Sequence, residues 1–169
     1  MAWVRTKLEI PKSLKPRDRE LLGEAVLEFI RLRTLSGMDK NNRKLPSYTP
    51  EYARDKGVTR DSVDLFLSGD LLENMQLLSH KSGELTIGFD KGDQELNGKA
   101  EGNILGTYGQ PRPIPGKKRD FLGITKGDLK SVLSEYKNID EVDLSESDID
   151  TLARNAAREL LGIDFDEDS

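Results

Sequence analysis

Residues 16–36 read PRDRELLGEAVLEFIRLRTLS, and this stretch decides how the rest of the chain folds. Its apolar residues recur at steps of three and four, the spacing of one face of an α-helix. Pro16 suits the first turn, Asp18 suits the positive end of the helix dipole, and Gly37 suits the end of the helix. The predicted buried face of this helix consists of Leu21, Leu22, Ala25, Val26, Phe29, Ile30 and either Leu32 or Arg33.

Short strands are predicted on both sides of this helix. Residues 3–10, WVRTKLEI, predict a strand that precedes it. Residues 74–90, NMQLLSHKSGELTIGFD, predict a hairpin, because Leu85, Ile87 and Phe89 alternate with polar residues after a glycine-containing turn. This alternation predicts a sheet with one buried face.

Further helices are predicted over residues 94–105, after a cap at Thr125, and from Ser145 or Ser147 to Gly162. The predicted order of elements is β-α-β-β-α-loop-α-α. We therefore predict an α+β fold in which a small antiparallel β-sheet packs against the long N-terminal helix and the C-terminal helices.

The composition limits the size of the core. Apolar residues make up 35% of the 169 residues, against roughly 45–50% in typical globular domains, and charged residues make up 34%, against about 25%. Chains of this kind often gain stability from subunit contacts. The absence of cysteine, of an apolar signal peptide and of any run of about 18 apolar residues predicts a soluble protein made in a cytoplasm.

The net charge of −5 is divided unevenly along the chain. Residues 1–134 hold 23 Lys and Arg against 19 Asp and Glu, whereas residues 135–169 hold 3 against 12. We therefore divide the chain into a domain of residues 1–137 and an acidic C-terminal helical extension of residues 138–169. Two interpretations of the extension stay open, a solvated tail or an acidic arm that docks on a basic neighbour or repels DNA.

Residues suited to catalysis are scarce. His80 is the only histidine, and the chain has no cysteine. These residues cannot form a nucleophilic triad or a His-rich zinc site, so we interpret His80 as a surface turn residue. Neither GDQELNGKA at 92–100 nor GQPRPIPGKK at 109–118 has the spacing of a phosphate-binding loop. Carboxylate pairs such as Asp64 with Asp70 are uninformative in so acidic a chain. We predict no enzyme activity and no catalytic, cofactor-binding or metal-binding residues.

Two basic clusters make nucleic-acid binding the main alternative function. The clusters are Arg112, Lys117, Lys118 and Arg119 in a proline-rich loop, and Arg31, Arg33, Arg43 and Lys44 after the long helix. Such clusters neutralise phosphates, but no aromatic residues alternate with them for base stacking. The alternative is therefore an autonomous nucleic-acid-binding or DNA-packaging-associated factor. A small hydrolase would require a formed pocket around His80 or a carboxylate pair.

Three stretches, taken in order, resemble a known family. They read PSYTPEYARDKG at 46–57, VDLFLSGDLLENM at 63–75 and RDFLGIT at 119–125. Their order and spacing are similar to those of tailed-phage virion morphogenesis proteins, the tail-completion, neck, head–tail joining and tail-terminator-like proteins. The family often has proline where this chain has Asp120, and the acidic residues 138–169 lie beyond the resemblance.

The resemblance implies a structural virion protein without enzymatic activity. Its subunits form a ring, by resemblance a hexamer, at the phage neck or upper tail end, where it joins tail to head or terminates the tail tube. The implied partners are further copies of the chain and neighbouring neck, connector, tail-tube or sheath proteins, with DNA passing through the channel as cargo. Tail terminator, tail-completion protein and head-side adaptor stay open as alternatives.

The resemblance also implies long inter-subunit loops whose ends pack back into their own subunit. Phe121 and Leu122 anchor the return of the proline-rich loop, Gly123 permits a close backbone approach, and the basic residues before them stay outside. A short buried strand at FLGI is the alternative. The interface or structural-anchor candidates are Ser68, Gly69, Leu71, Arg112, Lys117, Lys118, Arg119, Phe121, Leu122 and Gly123.

Overall fold

The structure, a computed structural model, describes residues 3–46, 71–106 and 118–138, together with Arg54, Gly57 and Ala153. Its elements in chain order are β1 (Arg5–Glu9), α1 (Pro16–Leu35), β2 (Gln76–Lys81), β3 (Glu84–Gly88), α2 (Gln94–Leu105) and α3 (Lys126–Asn138). The three helices and the three-stranded antiparallel sheet of these described ranges confirm the predicted α+β class.

The second strand of the hairpin is the central strand of the sheet, whose order is β1-β3-β2. Both neighbours run antiparallel to β3, and a bulge interrupts the pairing between Leu77 and Ser79 of β2. Because side chains alternate along β3, Leu85 and Ile87 lie on one face, together with Phe89 just beyond the strand. All three are fully buried, as the alternation predicts.

Helix α1 supplies the other half of the core. It begins at Pro16, where an N–H is not needed for helical bonding, and is followed by Gly37 at φ +88°. The side chains of Leu22, Ala25, Val26, Phe29 and Ile30 are fully buried in one cluster with the apolar side chains of the sheet. Leu21, which the periodicity also placed on this face, is half-buried.

The predicted turn at His80 is wrong, because the hairpin turn is shorter than the glycine pattern indicated. Strand β2 continues through Lys81, and His80 lies opposite Leu85 as a half-buried strand residue. Gly83, at φ +87°, supplies the positive φ that a tight turn needs. His80 is therefore a sheet residue.

One residue of the acidic extension belongs to the core of the first domain. Ala153 is helical and fully buried in the same apolar cluster as α1 and the sheet. The rest of the helix predicted from Ser145 or Ser147 lies outside the described residues. Among the helices that are described, none is both long enough and apolar enough to cross a membrane.

Gly88 lets β1 and β3 approach each other. A Cβ at this position would lie 2.4 Å from the carbonyl oxygen of Val4 and 2.7 Å from the Cα of Arg5, and both are backbone atoms. We expect Gly88→Ala to lower the free energy of unfolding by about 2 kcal/mol, because β1 must shift. Urea unfolding measures this change.

Gly98 provides the matched control for that substitution. It lies within α2, and no atom lies within 4 Å of the position that its Cβ would take. Gly98→Ala is expected to raise the free energy of unfolding by up to about 1 kcal/mol, since alanine is the better helix former. Equal changes in the free energy of unfolding for Gly88→Ala and Gly98→Ala would contradict the explanation that the close approach of β1 and β3 requires glycine at position 88.

Candidate functional site on the first helix

Arg33, in the last turn of α1, holds the backbone of the FLG segment. Its Nη1 donates a hydrogen bond of 2.5 Å to the carbonyl oxygen of Gly123, and its Nη2 donates to the carbonyl oxygen of Phe121. The arginine side chain is fully buried. Hydrogen bonds from charged donors are roughly twice as strong as neutral ones. We call Arg33 with these two carbonyls the Arg33 anchor.

The guanidinium of Arg33 keeps its charge although it is removed from water. Burial lowers the pKa of Arg33 to about 10, while the negative charges of Asp39, Asp128 and Asp120 act in the opposite direction. The group is therefore protonated throughout the neutral pH range. The Arg33 anchor does not titrate under these conditions.

The residues that follow α1 hold the same segment from the outside. The Nζ of Lys40 lies 2.8 Å from the carboxylate of Asp120, and the backbone N–H of Lys40 donates to the Asp120 carbonyl at 2.9 Å. A Cβ on Gly123, whose φ is +154°, would lie 3.2 Å from the Lys40 side chain. Glycine therefore allows the segment to lie against this neighbour.

The apolar side chains of the segment enter the core. Phe121 is fully buried, and its ring meets that of Phe89 edge to face, with centroids 6.4 Å apart. Leu122 is buried as well. The alternative prediction of a short buried strand is wrong, because the carbonyls of this segment bond to an arginine rather than to a neighbouring strand.

Helix α3 begins directly after the segment. The Oγ1 of Thr125 accepts a hydrogen bond of 3.1 Å from the backbone N–H of Asp128, which confirms Thr125 as the predicted cap. The Asp128 carboxylate accepts a bond of 2.7 Å from the side-chain amide of Asn42. The start of α3 is thus also joined to the residues that follow α1.

A second arginine of α1 holds another re-entry point of the chain. Arg31 donates from Nε to the carbonyl oxygen of Leu72 at 2.9 Å and from Nη2 to that of Met75 at 2.8 Å. These carbonyls lie just after residues 47–70, whereas the Arg33 anchor lies just after residues 107–117. One helix therefore holds the described chain at two points, just after residues 47–70 and just after residues 107–117.

Arg119 contacts described residues that come directly before residues 47–70 and shortly before residues 107–117. Its backbone N–H donates to the carbonyl oxygen of Asn103 at 2.7 Å, four residues before residues 107–117 begin. Its Nη2 lies 3.5 Å from the carbonyl oxygen of Pro46, the residue directly before residues 47–70. The described residues before residues 47–70 and before residues 107–117 therefore both contact Arg119, the first through its side chain and the second through its backbone N–H.

The predicted site residues fall into three groups. Four of them lie outside the described residues: Ser68, Gly69, Arg112 and Lys117. Four are buried: Leu71, Phe121, Leu122 and Gly123. Of the remaining two, Lys118 is exposed and Arg119 is half-buried. The basic residues before Phe121 were predicted to stay outside; Arg119 is half-buried, and its Nη2 lies 3.5 Å from the carbonyl oxygen of Pro46.

Sequence reasoning grouped both arginines of α1 in a phosphate-binding cluster and missed them as anchors, although the helical period also offered Arg33, as an alternative to Leu32, for the buried face. Arg33 is fully buried, and Arg31 is engaged with main-chain carbonyls. The available signal was the helical period, since position 33 follows Phe29 by four residues and Ile30 by three. A charged residue on an apolar face predicts a buried partner.

Within the described ranges, no group of three or more His, Asp and Glu residues is placed to hold a metal ion. The site arranges donors and carbonyls that fix the backbone, which is the chemistry of an anchor. Comparison of the chain with models of protein families, with curated proteins and with solved structures gives no match.

Proposed function

We propose that the chain is a structural virion protein of a tailed phage that forms an oligomeric ring at the neck or upper tail end. There it joins the tail to the head or terminates the tail tube. The observation that carries this proposal is the common base at Arg119 of the two long connections, residues 47–70 and 107–117. The three ordered stretches that resemble tail-completion and head–tail joining proteins supply the virion context.

A segment whose ends are fixed firmly in its own subunit is well placed to reach a neighbouring subunit. Arg31 and Arg33 fix the two return points to α1, so the cost of ordering the ends of both connections is met within one subunit. Contacts made by such connections are head-to-tail, and interfaces of this kind generate closed rings when the rotation between subunits closes.

Nucleic-acid binding is the weaker candidate. Of the four basic residues in the cluster after the long helix, Arg33 is buried and Arg31 is bound to carbonyls, which leaves Arg43 and Lys44 with exposed side chains. Two exposed cations make a small patch for neutralising phosphates. DNA is accordingly proposed as cargo in the channel rather than as a ligand.

The proposal predicts that the protein is a component of purified particles of the phage that carries it. Quantitative mass spectrometry is expected to find about six copies per particle, as for one hexameric ring. Lys117→Glu combined with Lys118→Glu is expected to remove the protein from particles, because both cations lie at the end of one long connection. Lys126→Glu combined with Lys130→Glu, on the exposed side of α3, is the matched control and is expected to be incorporated normally.

Absence of the protein from the particles, together with salt-dependent binding of the isolated chain to DNA, would contradict the ring and favour the nucleic-acid-binding factor. Equal incorporation of both charge-reversal variants would show that residues 117 and 118 take no part in the interface.

A further inference from the structure

The face of the sheet opposite α1 forms a groove of about 380 Å³. Its cationic side chains come from three places: Arg5 and Lys7 on β1, Lys81 at the end of β2, and Lys91 just after β3. The small side chains of Thr86 and Ser79, which lie opposite each other, line it between these long ones. We call this the basic groove. Glu84 and Asp90 are its acidic lining residues, and Glu9 lies opposite Glu84 at one end.

The cations of the basic groove have no anionic partner in the described part of the chain. Ion pairs of that part, such as those of Arg31 with Glu28, Lys40 with Asp120 and Lys99 with Glu95, lie outside the groove. Four cations and two anions around one depression leave an excess of positive charge. Such a surface favours an anionic occupant.

The single aromatic residue of the basic groove argues for a peptide rather than a nucleic acid. The indole Nε1 of Trp3 donates to the carbonyl oxygen of Phe89 at 2.6 Å, which fixes the ring. The Arg5 guanidinium lies 4.1 Å and the Lys91 ammonium 5.6 Å from the ring centroid. A base would have to displace the guanidinium to stack, and sheets that bind RNA use two or three stacking aromatics.

We propose that the basic groove binds the acidic segment of residues 164–168, DFDED, of the same chain. Four of these five residues are carboxylates, and Phe165 can pack against Leu78, the apolar lining residue of the groove. Ala153 is fixed in the core, so the segment is tethered to the body that carries the groove. With the predicted helix continuing to Gly162, about 14 Å of helix and two further residues lead from Ala153 to Asp164, a reach of roughly 20 Å, against a radius of gyration of roughly 15 Å for a chain of this length.

Tethering makes a weak interaction effective. A linker of this length gives an effective concentration in the mM range, so modest charge attraction is enough to hold the segment in the groove. Binding of the segment in the basic groove is therefore reversible and sensitive to salt. It does not depend on ring formation.

Trp3 is the only tryptophan in the chain, so its emission reports on the basic groove alone. The amide variant of the full-length chain carries Asp164→Asn, Asp166→Asn, Glu167→Gln and Asp168→Asn. The control variant carries Asp140→Asn, Glu141→Gln, Asp143→Asn and Glu146→Gln. The amide variant is expected to show emission at longer wavelength and stronger quenching by acrylamide than the wild type, whereas the control variant matches the wild type.

Salt and the groove cations supply independent checks. At about 1 M NaCl, where the Debye length is about 3 Å, the wild type is expected to emit as the amide variant does. Lys7→Gln combined with Lys81→Gln is expected to give the same shift, and adding these changes to the amide variant is expected to shift the emission no further.

Four results would overturn the proposal. The first is identical tryptophan emission of the wild type and the amide variant, and the second is an emission shift in the control variant equal to that of the amide variant. The third is an emission shift that depends on protein concentration. The fourth is an equal change in the emission of the wild type and the amide variant when oligothymidylate is added. The second indicates a general charge effect, the third a segment from another copy, and the fourth a nucleic-acid site.

Discussion

Replacing Arg33 with methionine is expected to lower the free energy of unfolding by about 3 kcal/mol. Methionine keeps an unbranched apolar side chain but removes both donors, so the carbonyls of Phe121 and Gly123 lose their partner within the core. A buried polar group left without a partner costs about 1–3 kcal/mol. Urea unfolding of the full-length chain measures the loss.

Two further substitutions separate geometry from charge. Arg33→Lys keeps the positive charge but cannot present two parallel donors, so it is expected to be destabilising as well. Asp120→Asn removes the partly exposed ion pair with Lys40 on the same segment and is expected to cost less than about 1 kcal/mol. Arg43→Met, at an exposed position, is expected to change stability by less than about 0.5 kcal/mol. An Arg33→Met effect as small as that of Arg43→Met would rule out the Arg33 anchor.

The parts of the fold that were predicted from sequence are those fixed by local pattern. Helix α2 has the predicted bounds of residues 94–105, and α1 ends one residue before the predicted limit of residues 16–36. The hairpin followed from alternation around Gly83. In each case the residues that decide the structure lie within a few positions of one another, so periodicity and turn chemistry are enough.

The Arg33 anchor and the basic groove depend on residues that are far apart in the chain. The carbonyls bound by Arg33 lie 88 and 90 residues away from it. The groove forms because Arg5 pairs with Gly88, which brings the start of the chain beside Lys91. One sequence contains no signal for such pairings, so the arginines of α1 were grouped by charge, and the helical period pointed to burial of Arg33 without naming its partners.

Phe121→Ala is expected to lower the free energy of unfolding by about 4 kcal/mol, because it opens a cavity at a fully buried position. The ring loses its edge-to-face contact with Phe89 as well. Phe121→Leu, which keeps most of the volume, is the control and is expected to cost less than about 1.5 kcal/mol. Urea unfolding again gives the values.

The side chain and the carbonyl of Phe121 hold the same segment, so their contributions are expected to be coupled. Arg33→Met and Phe121→Ala together would remove much of the free energy of unfolding of a domain, which is about 5–15 kcal/mol. The double variant therefore combines Arg33→Met with the milder Phe121→Leu. The double variant is expected to lose about 1 kcal/mol less free energy of unfolding than the sum of the two single losses, because either substitution alone already weakens the packing of the segment. Strict additivity would mean that core packing and the Arg33 anchor hold the segment independently. The end of the proline-rich connection would then be fixed at two separate points rather than as one unit.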